Sequence, residues 1–237
     1  MKTTALIVAA GAGVRMGLGR PKAFADLAGL PLVEHSLVVF QDHPRVDAIV
    51  LMAPGSELSD ASRIARRYPK VDVVAAGGER RQDTVRMGLE HIPGRGAAVA
   101  GDLVLVHDAA RPLVDPTVIS RVLDAAARTG AAVPGVAPAD TVRHVEEMAD
   151  PMGRTMAAGT LDRHRLVLVQ TPQGFGLALL RDAYARAGQI DVTDDAALIE
   201  MMGGAVEVVA GSPRNLKITT IHDLEIAAAL LARPEGD

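Results

Sequence analysis

The sequence predicts an α/β protein with a mostly parallel central sheet, and three features of the 237-residue chain point that way. Apolar, β-branched runs alternate with segments of helical period along the whole length, the pattern of parallel strands joined by crossover helices. Several of these runs end in glycine-rich or charged segments, as in Ala9-Ala-Gly-Ala-Gly13 and His107-Asp-Ala-Ala-Arg111. The composition, 49% hydrophobic and 23% charged with 23 Gly and 14 Pro, is that of an ordinary globular chain and not of a disordered one.

The elements follow in order. Ala5-Leu-Ile-Val-Ala9 is a continuous apolar run and reads as a first strand over 5–9, followed by a helix at 32–41. Strands at 48–53, 71–75 and 103–106 then alternate with helices at 57–68 and 80–91. Asp115 before Pro116 is a helix cap followed by a first-turn proline, so a helix is placed at 116–128, leading to a strand at 131–136. A strand at 166–170 and a helix at 177–187 come next. Thr193 precedes the acidic pair Asp194 and Asp195, which suits a helix N-terminus at 194–202, and a strand at 206–210 and a helix at 221–232 complete the series. No repeat, low-complexity tract or long linker divides the chain, so residues 1–237 are expected to form one domain.

One stretch breaks the alternation. Between 138 and 164 there is no helical pattern, and Asp150-Pro-Met-Gly153 carries the residues of a type I turn. Segments 141–146 and 154–160 are read as the arms of a β-hairpin projecting from the sheet. A lone hairpin is only marginally stable in water, so this β-arm is expected to pack on a second subunit and make a homodimer; the alternative is a surface loop.

Composition also removes whole classes of function. The absence of cysteine excludes thiolate catalysis, Cys-ligated zinc, iron–sulfur clusters and disulfides. A net charge of −4 and only 2% aromatic residues argue against a nucleic-acid partner. The N-terminal apolar run superficially resembles a secretory signal, but it is short and Arg15, Arg20 and Lys22 follow closely. No uninterrupted apolar run approaches the ~18 residues of a spanning helix, so a cytoplasmic protein without membrane contact is expected.

In open parallel sheets ligands bind beyond the carboxyl ends of the strands. After the first strand, Gly11 and Gly13 would let the backbone approach a phosphate, with Arg15 and Lys22 as adjacent cations. The loop is neither a dinucleotide fingerprint, which needs glycine at Met16, nor a Walker loop; the competing reading is a tight turn with solvated cations. Gly77-Gly-Glu-Arg-Arg-Gln-Asp-Thr84 follows the third strand. Asp108, after the fourth, suits a single divalent metal or a ribose hydroxyl, or else a turn cap pairing with Arg111. His107 reads as structural, and Lys217 could return a third cation to the same mouth. Serine-hydrolase elbows, His-Glu-x-x-His, Asp-x-Asp and kinase signatures are absent.

In order along the chain stand Ala-Ala-Gly-x-Gly-x-Arg-Met-Gly, Pro-Lys, Gly-Gly-x-x-Arg-x-x-Thr-Val, Val-His-Asp-Ala-Ala-Arg-Pro, Thr-Pro-Gln-Gly-Phe, Thr-Asp-Asp and Leu-Lys-Ile-Thr. This ordered set, spanning Ala5 to about Leu231, resembles the 2-C-methyl-D-erythritol 4-phosphate cytidylyltransferase family. The resemblance implies a Rossmann-like nucleotidyltransferase domain that transfers CMP from CTP to a methylerythritol phosphate with Mg²⁺, releasing pyrophosphate, in isoprenoid precursor synthesis.

Carried over by position, the resemblance implies that Ala9, Ala10, Gly11, Gly13, Arg15 and Lys22 surround the triphosphate. Gly78 and Thr84 would read cytosine, and Asp108 and Ala109 would meet ribose and metal. Arg15, Lys22 and Lys217 would neutralise the phosphates as the catalytic cations. Thr141 and Arg163 would bind the acceptor across the dimer interface, with Thr171 and Thr193 near the same substrate pocket. Ala23 stands where many members have Gln, and Glu79 where Asp is common. Two rival readings share the nucleotide half: a cytidylyltransferase for another polyol phosphate such as ribitol 5-phosphate, and a non-catalytic nucleotide-binding regulator.

Overall fold

The computed structural model of the protein describes residues 1–11, 19–94, 101–147, 155–188 and 190–232. Strands β1 (Thr3–Val8), β2 (Asp26–Leu27) and β3 (Leu30–Pro31) lead into α1 (Leu32–Asp42), and β4 (Ala48–Ala53), α2 (Leu58–Ala65), β5 (Val71–Ala76) and α3 (Arg81–His91) follow. Then come β6 (Leu103–Asp108), α4 (Pro116–Thr129), β7 (Ala131–Val136), β8 (Arg143–Glu147), β9 (Thr155–Thr160), β10 (Leu168–Val169) and β11 (Gln173–Gly176). The chain continues through α5 (Leu177–Ala187), α6 (Asp195–Met201), β12 (Glu207–Ala210) and α7 (Ile221–Leu231).

Eight strands make one sheet in the order β10-β7-β11-β6-β1-β4-β5, with β12 also paired to β7. β1 runs parallel to β4 and β6, β5 parallel to β4, and β12 parallel to β7. In register, Val8 stands opposite Met52 on one side and Asp108 on the other. The carboxyl ends of β1, β4 and β6 are therefore level, and the loops that leave them open onto one rim.

Side-chain alternation splits the core between the two faces of the sheet. Ala5, Ile7, Ile49 and Leu51 pack with α1, α2 and α4 through Leu37, Phe40, Ile64 and Val122. Leu6, Val50, Met52 and Val104 pack on the other face with α3, α5 and α6 through Val85, Leu180 and Ile199. Strands buried on both faces have to be continuously apolar, which is why these segments are visible in sequence. A third cluster, with Leu27, Leu32, Ile218 and Ala227, ties α7 to the β2–β3 hairpin. The helix starts carry the expected chemistry: the Asp115 carboxylate accepts from the Thr117 N–H at 2.6 Å with Pro116 in the first turn. Asp194 caps α6 by accepting from the Ala197 N–H. No helix of the described residues is long and apolar enough to cross a membrane.

Three expectations need correction. The apolar run predicted as a strand over 166–170 is an edge fragment: only β10 pairs, antiparallel to the end of β7, and Val167, Leu168 and Val169 are exposed. The strand that enters the sheet is β11, antiparallel between β6 and β7, so the sheet is mixed. No strand was predicted at this Gly-Phe-Gly segment. The structure uses the missing side chain, because a Cβ on Gly174 would lie 2.6 Å from Val122 Cγ1, and α4 could not rest on the strand there. The helix predicted over 57–68 is shorter, α2 ending at Ala65, and the small β2–β3 pair was not predicted.

The hairpin is present as β8 and β9, antiparallel from Arg143↔Thr160 to Glu147↔Thr155, in a sheet of its own. Its predicted turn at 150–153 lies outside the described residues. All of β9 is exposed, and so are Val145 and Met156, one on each strand.

Candidate active site

A cavity of about 430 Å³ opens at the carboxyl rim of the sheet. Five pieces of chain meet there. The loop after β1 brings Ala9 and Gly11, a 3-10 turn at Lys22–Phe24 brings Lys22, the β5–α3 junction brings Gly78, Arg81 and Thr84, and β6 ends on Asp108. Lys217 and Thr219 close it from the segment before α7. The lining holds four cationic side chains, Lys22, Arg80, Arg81 and Lys217, against the carboxylates Glu79 and Asp108. An excess of positive charge in a concave site favours a polyanionic ligand.

Local geometry explains why these residues can stand where they do. The Ala9 N–H donates to the Met52 carbonyl at 2.8 Å and the Ala109 N–H to the Val8 carbonyl at 3.0 Å, so the ladder continues past the strand ends. A Cβ on Gly77 would fall 2.4 Å from the Ala10 Cβ, so only glycine lets the two loops touch. The Thr84 hydroxyl accepts from the Gly78 N–H at 3.1 Å and lies 3.2 Å from the Arg80 carbonyl, pinning the glycine loop onto α3. Lys22 Nζ donates to the Ile218 carbonyl at 2.7 Å.

Asp108 is the electrostatic centre. Its Oδ1 accepts from Arg81 Nε at 2.8 Å and its Oδ2 from Lys217 Nζ at 2.7 Å. Burial alone would raise this carboxyl, but the guanidinium and the ammonium outweigh it and hold the group well below the usual carboxylate range. Behind it, the Asp108 N–H donates to the Thr171 hydroxyl at 3.1 Å, and that hydroxyl lies 3.1 Å from His107 Nδ1. His107 is fully buried against Phe40, and burial pushes its pKa down to about 3, so it is a neutral ring. The sequence alternative in which Asp108 pairs with Arg111 does not occur through the side chain: Arg111 donates instead to the carbonyls of Asn215 and Val169.

Of the residues singled out in sequence, Ala9, Gly11, Lys22, Gly78, Thr84, Asp108 and Lys217 line this one cavity. Ala10 packs beside Gly77, and Ala109 is buried beneath the rim. Gly13 and Arg15 lie outside the described residues. Thr171 is buried behind Asp108 with its hydroxyl already bonded, and Thr193 is exposed just ahead of α6. Thr141 and Arg163 are exposed near the base of the β-arm, where an Arg163 Nη donates to the Ala139 carbonyl at 2.7 Å. None of these last four lines the cavity.

Arg81 is the residue to which sequence reasoning gave no role. It lay within the motif Gly-Gly-x-x-Arg, but adjacent Arg80 and Arg81 look alike until the first turn of α3 directs one to Asp83 and the other to Asp108. For a metal, no group of three or more His, Asp or Glu side chains converges among the described residues. Among the described residues, Asp108 and Glu79 are the carboxylates that line the cavity, and Asp108 is the one at the end of β6.

Comparison with known proteins is consistent along the whole chain. Residues 3–233 match the family model described as 2-C-methyl-D-erythritol 4-phosphate cytidylyltransferase, IspD. A protein of that name from Syntrophus aciditrophicus is 39% identical over 240 residues, covering 99% of this chain and 98% of its own. Another from Saccharopolyspora erythraea is 43% identical, covering 98% and 100%. The crystal structure of the enzyme of that name from Thermus thermophilus is 35% identical and superposes with a TM-score of 0.77, covering 98% of this chain and 100% of that one.

Proposed function

The chain belongs to the 2-C-methyl-D-erythritol 4-phosphate cytidylyltransferase family, and we propose that its rim cavity binds CTP and transfers CMP to 2-C-methyl-D-erythritol 4-phosphate. The observation that supports this reading is the convergence of Lys22, Asp108 and Lys217 on one cavity with the glycine-backed Gly78–Thr84 pair at its side. A phosphate oxygen of the acceptor attacks the α-phosphorus of CTP in line. The bond from that phosphorus to the bridging oxygen breaks, and pyrophosphate leaves with the electron pair. A phosphate monoester is already ionised at neutral pH, so the chain needs no general base. Its task is to hold two anions together and stabilise charge that moves onto the leaving group.

In this reading Lys22 and Lys217 face the phosphates and Gly78 and Thr84 face the base, and the family resemblance adds Arg15 to the phosphate cations. Lys217 exchanges its bond to Asp108 for one to phosphate. Asp108, relieved of one partner, has the oxygen that a magnesium ion would take, the rest of the coordination coming from phosphates and water. When bound, the ion neutralises triphosphate charge.

The acceptor site completes itself between two copies. Thr141 and Arg163 lie at the base of an arm whose exposed Val145 and Met156 are suited to pack on a partner, making a homodimer that works in the cytoplasm. The deciding experiment is pyrophosphate release from CTP with methylerythritol phosphate or ribitol 5-phosphate, with Mg²⁺ and with chelator. Release with the first acceptor and Mg²⁺ is expected. Faster release with ribitol 5-phosphate moves the acceptor assignment, and no release with either leaves a nucleotide-binding protein without this activity.

A further inference from the structure

We propose that Asp195 and Tyr184 are positioning residues for the transfer: acting through Arg81, they fix the Asp108 carboxylate at the cavity mouth when Lys217 leaves it for phosphate. The inference rests on the reading of the cavity as a CTP site.

Asp195 is fully buried at the start of α6, and a buried carboxylate is costly unless its partners are well placed. Its Oδ1 accepts the Tyr184 O–H at 2.5 Å, its Oδ2 lies 2.8 Å from an Arg81 Nη, and its backbone N–H donates to Gln173 Oε1. The other side of the Arg81 fork reaches Asp108. One planar guanidinium thus spans two carboxylates, one at the cavity and one behind it, an arrangement that a lysine cannot copy.

The two holders of Asp108 differ in freedom. Lys217 is a flexible side chain with 42% exposure, and a triphosphate can draw its ammonium away. Arg81 has 25% exposure, its far nitrogen is ion-paired with Asp195 Oδ2 at 2.8 Å without an aligned hydrogen bond, and α3 and α6 fix both ends of that pair. Asp108 accordingly keeps one fixed direction throughout the reaction.

The protein contains its own control. Glu34, 1% exposed, accepts the Tyr68 O–H at 2.7 Å and pairs with Arg67 at 2.8 Å, the same three chemical groups. None of those three residues lines the cavity.

Tyr184→Phe and Tyr68→Phe remove the same hydroxyl from the same kind of carboxylate. Both are expected to lower Tm comparably, but only Tyr184→Phe should lower kcat, by about fivefold or more, since small displacements of a reacting group are costly. Asp195→Asn is expected to lower kcat about tenfold or more while CTP binding, measured by calorimetry without acceptor, stays unchanged or tightens because a negative charge is gone. Equal kcat in the two Tyr→Phe variants overturns the proposal, as does loss of CTP binding by Asp195→Asn in proportion to its kcat. A wild-type chain that binds CTP but transfers nothing overturns instead the reading of the reaction.

Discussion

Lys22 and Ile218, 196 positions apart, are joined where the Lys22 ammonium donates to the Ile218 carbonyl at 2.7 Å. The bond closes the cavity by fastening the 3-10 turn at Lys22–Phe24 to the irregular segment before α7, next to Lys217. A cation placed this way is preorganised: its position is set before any phosphate arrives.

Lys22→Ala is therefore expected to cut turnover by about 10² or more, the scale for losing one fixed charge partner. Pyrophosphate release at saturating substrates measures it. Turnover near that of wild type would take Lys22 out of the mechanism.

Thr84 carries the glycine loop through its hydroxyl. Thr84→Ala removes the acceptor of the Gly78 N–H, which is expected to cost about 1–2 kcal/mol in urea unfolding and to raise the KM for CTP. Thr84→Ser keeps the oxygen and should restore both. A serine variant as impaired as the alanine one would mean that the methyl group matters and the hydroxyl does not.

Arg163 is exposed and does not line the cavity. Arg163→Ala is expected to raise the KM for the sugar phosphate several-fold while calorimetry finds CTP affinity nearly unchanged. Equal loss for both ligands would place Arg163 elsewhere.

The arm can be tested through assembly. Val145 and Met156 are 62% and 59% exposed, so Val145→Glu with Met156→Glu should leave the fold intact. Burying two carboxylates in an interface is strongly unfavourable, and the pair is expected to shift sedimentation from dimer to monomer. A dimer of unaltered stability would show that the arm does not make the contact.

His107 sets a pH dependence of stability. Its folded pKa is depressed to about 3 by burial, so between the ordinary value and 3 the unfolded chain binds a proton that the folded chain refuses. The contribution is fully present above about pH 6.5 and declines as pH falls, by about 1.4 kcal/mol per unit at most. Urea unfolding at pH 7.5 and 5.5 should show wild type losing about 1 kcal/mol more than His107→Gln. Identical losses would mean that the ring titrates freely in the folded state.

Legibility followed burial. β1, β4 and β6 are buried on both faces, so each is a continuous apolar word that can be read without context. β11 could not be read, because its Gly174 is there for the close approach of α4 and not for what a strand prefers. β10 misled for the opposite reason: an apolar run at the sheet edge leaves its side chains exposed. Cavity-lining residues were legible where motif and loop position coincide, as for Gly78, Asp108 and Lys22. Arg81 was obscured by its neighbour, since both arginines line the cavity and only the placement of α3 decides that Arg81, and not Arg80, pairs with Asp108.

The amino-acid order alone determined the layered α/β class, the hairpin that interrupts it, and the short list of glycines, cations and one aspartate at strand ends, because these depend on local periodicity and on chemistry carried by single residues. Tertiary structure alone decided that Lys22, Asp108 and Lys217 share a cavity, that Asp108 is paired with Arg81 and Lys217 and not with Arg111, and that Asp195 stands behind Arg81. Those are distances between segments far apart in the chain, and they are set by how helices seat on a sheet, which no local pattern encodes.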